Sequence, residues 1–179
     1  GKDAALLLHS QQAGTALVED LGRAAMLKKS VRGLPARVIP LPLWHTASVG
    51  LDVWLTAFAY GASQVWVLMT DEEAPQYADA VRAQMAVAQA IVNGLGYTGT
   101  HFRLIQANDV AALDSQLSVP AAQSVKRRAS FAVQTEKRAT LDLAIDHLLQ
   151  DSATLPGTRP EAVALPAASL YGAIAVNRD

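Results

Sequence analysis

Leu51-Asp-Val-Trp-Leu-Thr-Ala-Phe-Ala-Tyr-Gly-Ala-Ser-Gln-Val-Trp-Val-Leu-Met69 is the longest apolar stretch of the chain, and its reading decides the fold. Its length raises the question of a membrane span. Asp52 and Gln64 interrupt it, however, and Gly61-Ala62-Ser63 divides it into a half with helical period and a strand-like half. The stretch therefore reads as a helix stopped at Gly61, a turn, and a strand at 64–69. A strand apolar at successive positions is buried on both faces, which places it at the centre of a sheet covered by helices on either side.

The same alternation extends outward in both directions. Residues 4–8 form a continuous apolar run suited to a buried parallel strand, and 12–29 carry apolar positions at helical spacing. Residues 37–41 read as a second strand, which Pro40 and Pro42 place near an edge or end early. A helix over 48–60 leads into the central strand. Pro75 opens a long alanine-rich helix to residue 95, and 102–105 form a fourth strand. Asn108 and Asp109 are placed to cap a short helix through Leu113. Residues 121–150 are helical in tendency, with a break expected at 132–140, where the apolar stripe loses phase. From Asp151 the chain is proline-rich and extended before a terminal strand. Strand and helix alternate four times. The expected fold is α/β, a three-layer sandwich with a mainly parallel sheet of four or more strands and right-handed crossovers. Its expected organisation is an α/β domain at 1–118, C-terminal helices packing on it at 119–150, and a linker and strand at 151–179.

Composition removes several classes of function. Half of the 179 residues are apolar and 17% are charged, too few charges and too many apolar groups for a disordered chain. A net charge of −1 leaves no global footprint for nucleic acid or an acidic membrane surface. The absence of cysteine excludes disulfides, a thiol nucleophile and thiolate metal ligands within these residues. No secretory leader is visible.

In an open parallel sheet, ligands sit beyond the carboxyl ends of the strands. Those ends carry His9-Ser10-Gln11, Trp44-His45-Thr46-Ala47-Ser48, Thr70-Asp71-Glu72-Glu73 and Gln106-Ala-Asn108-Asp109. His9, Ser10, His45, Thr70 and Asp71 are the candidate pocket residues. His9, His45 and Asp71 combine imidazole and carboxylate donors suited to a divalent metal or a small anion site. The competing reading is structural: Ser10, Ser48, Asp71 and Asn108 stand where helix caps belong. A Ser10 nucleophile with His45 as base and Asp71 as orienter can be drawn, although almost any such sheet permits it. No H-x-x-x-H spacing, G-x-G-x-x-G, phosphate-binding loop or G-x-S-x-G elbow is present. Lys126-Arg-Arg128 and Lys137-Arg138 fit either a docking face for an acidic partner or a solvated helix face. Trp54 and Trp66 read as core, while Trp44, in a loop after a proline, is a candidate contact for a partner.

Two stretches carry a resemblance. Leu55-Thr-Ala-Phe-Ala-Tyr-Gly-Ala-Ser-Gln-Val-Trp-Val-Leu68, followed by Tyr77, is similar to the delta-subunit domain of methyl-viologen-reducing hydrogenases, as is the order of elements over 4 to about 110. That family carries cysteines after its first three strands, associated with a two-iron cluster. The matching positions here fall in 9–12, in 43–46, and at Thr70 and Pro75, and none is cysteine. The cluster therefore does not carry over, because such clusters need thiolates. The second stretch, Leu165-Pro166 with Tyr171-Gly-Ala-Ile-Ala-Val-Asn-Arg-Asp179, resembles the run-up to the cysteine motif of bacterial four-iron (4Fe-4S) ferredoxins. Together the resemblances imply a cysteine-less, cofactor-free domain excised from a cytoplasmic bacterial electron-transfer protein. Its partners would be flanking ferredoxin modules holding the iron–sulfur clusters and a redox protein. The expected role is non-catalytic scaffolding or docking, with homodimerisation through an apolar patch a further expectation. The alternative is a small α/β ligand-binding domain or hydrolase-like enzyme with its site at the strand ends.

Overall fold

The computed structural model describes residues 3–27, 30–153, 162–167 and 169. Four strands form one parallel sheet in the order β2-β1-β3-β4: β1 (Ala5–Ser10), β2 (Val38–Leu43), β3 (Gln64–Met69) and β4 (Phe102–Gln106). The connecting helices are α1 (Ala13–Met26), α2 (Leu51–Ala59), α3 (Pro75–Gly94) and α4 (Val110–Leu117), and a last helix, α5, spans Lys137–Ser152. The expected three-layer α/β sandwich is thus the observed one. No helix among the described residues is long and apolar enough to cross a membrane. The terminal strand expected after Ser169 lies outside the described residues.

The stretch at 51–69 divides where its turn residues dictate. Gly61 takes φ +105°, a left-handed conformation in which a side chain would be strained. Its N–H bonds to the Phe58 carbonyl and that of Ala62 to the Ala57 carbonyl, the paired 5→2 and 6→1 bonds of a Schellman stop. Every residue of β3 is buried. Trp66 and Leu68 face α1 and α4 with Ala5, Leu7, Leu21, Ile105 and Leu113. Val65, Val67 and Met69 face α2, α3 and α5 with Trp54, Phe58, Ala88 and Leu148. Alternate residues of one strand therefore join two separate cores, and that is why the strand reads as continuously apolar.

β2 is the edge strand that its prolines announced. The Arg37 and Leu43 carbonyls accept from Ala5 and Gln11, so odd-numbered residues of β2 face β1 and even-numbered ones face outward. Pro40 and Pro42 occupy two outward positions and have no N–H, and the Val38 N–H is taken by the Pro35 carbonyl. The open edge offers carbonyls but no donor, which denies a further strand its hydrogen-bond ladder.

The largest departure from the sequence reading is at 119–150. Only one helix forms there, and α5 begins inside the expected break. Residues 118–136 are instead an irregular strap. Its backbone is held by distant groups: the Asp151 carboxylate accepts from the N–H of Lys126 and Arg127, and Ala129 N–H donates to the Ala59 carbonyl. Arg37 Nη2 donates to the Val119 carbonyl at 2.8 Å. These bonds replace those a helix would have made internally, so helical tendency is overridden by tertiary partners. The second helix also differs: residues 46–48 form a 3₁₀ turn with His45 as its cap, and α2 starts only at Leu51.

Candidate functional site

The chain steps from β1 outward to β2 and then crosses back to β3. The crevice between the carboxyl ends of β1 and β3 is therefore the topological switch point, where folds of this class bind ligands. Sequence places Ser10 at the end of β1, Thr46 in the loop after β2, and Thr70-Asp-Glu-Glu73 after β3.

These residues close the crevice with their own side chains. Ser10 Oγ donates to Glu72 Oε2 at 2.8 Å and accepts from the Gly14 N–H at 2.8 Å. The Ala13 N–H, first in α1, donates to the same carboxylate oxygen at 3.1 Å. Glu72 thus lies at the positive end of the α1 dipole, the position in which many such sheets hold an anionic ligand. Gly14 makes the approach possible, since a Cβ there would stand 2.9 Å from His9 Cβ and 3.0 Å from Ser10 Oγ. Next to it, Glu73 accepts from Thr46 Oγ1 at 2.7 Å, from the Thr70 N–H at 2.9 Å and from Thr70 Oγ1 at 3.3 Å. The Asn108 side chain accepts from the Asp71 N–H at 2.7 Å and ties the β3 loop to the loop after β4.

The candidate residues named from sequence occupy different parts of this end of the sheet. His9 is buried, with Nδ1 2.9 Å from the Ser10 carbonyl oxygen and 3.4 Å from Thr15 Oγ1. His45 uses Nδ1 to accept from the Ala47 N–H at 3.2 Å, and its ring meets the edge of Tyr77 at 5.3 Å. Asp71 engages Asn108 through its backbone. Among the described residues, no group of three or more His, Cys, Asp or Glu is arranged to hold a metal ion. Ser10, drawn as a nucleophile served by His45, has its hydroxyl on Glu72 instead. Of the expected caps, Ser10 serves the first turn of α1 as described. Ser48 Oγ donates back to the His45 carbonyl rather than capping α2. Asp109, not Asn108, caps α4 through the Ala112 N–H at 2.8 Å.

Glu72, Glu73 and Thr46 belong to the strand-end segments read from sequence but not to its candidate pocket residues. The signal was present as a run of acids directly after the central strand, but only the folded chain shows it facing α1. The hydroxyls and imidazoles at this end of the sheet, with no cysteine in the sequence, are a donor set that does not fit an iron–sulfur cluster. Trp44, 85% exposed, stands out beside them, whereas Trp54 and Trp66 are fully buried.

A scan against protein-family models finds no match for this sequence, and a comparison with curated proteins finds none either.

Proposed function

We propose that this chain is a non-catalytic scaffold and docking domain of an iron–sulfur electron-transfer protein, itself supplying no thiolate to a cluster. The observation that carries the reading is the filled switch-point crevice. The Glu72 carboxylate occupies the α1 N-terminus and Glu73 bridges Thr46 and Thr70, so the place where folds of this class hold a ligand is taken by the chain itself. The resemblance of 165–179 to the approach of a ferredoxin cysteine motif supplies the setting: cytoplasmic, with clusters in flanking modules. Trp44 and the ring of Tyr77 beside His45 provide an apolar projection for a redox partner at that end of the sheet.

The test is on the full natural polypeptide, purified without oxygen. Iron and acid-labile sulfide are measured per chain together with the visible spectrum. Stoichiometric iron and sulfide, with broad absorption near ~400 nm as expected of thiolate-ligated clusters, is the expected result. An iron-free, colourless polypeptide would overturn the reading and return attention to a ligand-binding or hydrolase-like role.

A further inference from the structure

A second concave site lies away from the strand ends. A cavity of about 490 Å³ opens between α2, the start of β1, the strap and the first turn of α5. Its volume falls within the range of small-molecule sites, about 300–1,000 Å³. Leu6, Val53, Ala57 and Val133 line its apolar side, with Tyr60 also in the lining. Val133 is 62% exposed and Val53 39%, so an apolar surface faces solvent here.

The polar lining combines two cations with one carboxylate and the neutral side chains of Thr56, Tyr60, Gln134 and Thr140. Arg128 and Lys137 both line it. The Arg128 stem crosses Gly61 so closely that a Cβ there would lie 2.9 Å from Arg128 Cγ and Nε. Among the described residues neither cation forms an ion pair, whereas Arg23, Arg32, Arg82 and Arg138 each have a carboxylate. Lys137 is the first residue of α5, a helix with no acid in its first turn and no side chain capping its N-terminus. The helix dipole adds to the positive potential, opposed by the carboxylate of its N-cap residue Glu136. The wall also contains Thr56, buried with a hydroxyl that has no hydrogen-bond partner among the described residues. One carboxylate, Asp52, reaches the cavity and stands with Lys137 at the boundary to a neighbouring cavity.

We infer that this cavity binds a small amphipathic monocarboxylate. Its hydrocarbon body would lie on the apolar wall, and its carboxylate would meet Arg128, Lys137 and the α5 N-terminus. The wall is too apolar for a sugar or a free phosphate, and Asp52 leaves an excess of a single cation, which matches one negative charge. The inference stands independently of the iron–sulfur reading.

The probe is octanoate, titrated into the ¹⁵N-labelled chain and followed by amide chemical shifts, with acetate and 1-octanol as comparisons. Saturable shifts confined to amides around Val53, Ala57, Gly61, Arg128 and Lys137 are expected, with a dissociation constant on the order of 1 mM. Acetate produces no such shifts, because it lacks the apolar body. The doubly substituted Arg128→Gln/Lys137→Gln chain keeps its thermal midpoint and weakens octanoate about tenfold, as loss of a charged hydrogen-bond partner predicts. Three outcomes would overturn the inference: no saturable shifts with octanoate, octanol binding as tightly as octanoate, or an unchanged affinity in the double variant. Equal binding of octanol would mark the surface as a plain apolar docking groove.

Discussion

Ser10 Oγ donates to the Glu72 carboxylate at 2.8 Å, joining the last residue of β1 to the loop after the adjacent strand β3, with α1, β2, α2 and β3 between them in sequence. Through Ser10 and the Ala13 N–H, one exposed carboxylate takes the position at the α1 N-terminus where a ligand would otherwise sit.

Replacing that carboxylate should cost little stability and reveal the vacated anion position. Glu72→Ala is expected to lose about 0.5–1 kcal/mol, the usual worth of an exposed carboxylate at a helix N-terminus. It should also gain a sulfate-dependent rise in thermal midpoint over a chloride control of equal ionic strength. Thermal melts of both proteins across a sulfate series make the comparison. Identical sulfate responses would show that Glu72 is not filling an anion position.

Asp151 carries a larger energetic role. Its carboxylate is 2% exposed and accepts from Tyr97 Oη at 2.9 Å and from the N–H groups of Lys126 and Arg127. Burial, with the Asp151 carboxylate beside it, pushes the Tyr97 hydroxyl well above the ordinary tyrosine range, so it stays a donor. Asp151→Ala removes the acceptor of two part-buried backbone N–H groups and leaves the buried Tyr97 hydroxyl only its longer bond to the Leu148 carbonyl, and is expected to destabilise the chain by about 2–4 kcal/mol, Tyr97→Phe by about 1. Urea denaturation measures both. Equal, small effects would mean that the strap does not depend on this carboxylate.

His101 makes stability pH-dependent. It is fully buried against Phe58, and its Nδ1 lies 3.1 Å from the Ser63 carbonyl oxygen. Burial lowers its pKa below the ordinary 6.5, against the opposing pull of the Ser63 and Tyr97 backbone. The unfolded chain therefore binds a proton that the folded chain refuses. The contribution is complete above pH 6.5 and is lost progressively as pH falls below it, by at most about 1.4 kcal/mol per pH unit. His101→Gln should lack this component of the slope between about pH 6.5 and 5. Superimposable profiles for the two proteins would count against it.

The proline edge predicts an association defect. In Pro40→Val/Pro42→Val, two outward N–H groups return to an edge that also exposes Ile39 at 46% and Leu41 at 39%. Sedimentation velocity should then show concentration-dependent self-association absent from the parent chain. A variant as monodisperse as the parent would mean that the prolines are incidental to edge protection.

How much of this was legible beforehand depends on the distance over which each feature is decided. The helix, glycine turn and strand at 51–69 were readable because a Schellman stop and a doubly buried strand are written in neighbouring residues. The same holds for the edge prolines of β2, the fully buried Trp54 and Trp66, and the exposed Trp44. The strap was misread as helix because its hydrogen bonds come from Asp151, Ala59 and Arg37, far away in the chain. At the strand ends the polar residues were recognised, but not their pairing. His9, His45 and Asp71 share a chemistry that suggests a common site, yet each is engaged with a different neighbour. Local sequence determined the α/β class, the alternation of elements and the edge of the sheet, because hydrophobic period and turn chemistry act over a few residues. Only the tertiary structure decided that Glu72 fills the α1 N-terminus and that Arg128 and Lys137 share an apolar cavity. Those relationships depend on how the crossovers bring distant loops together, and no local pattern encodes that distance.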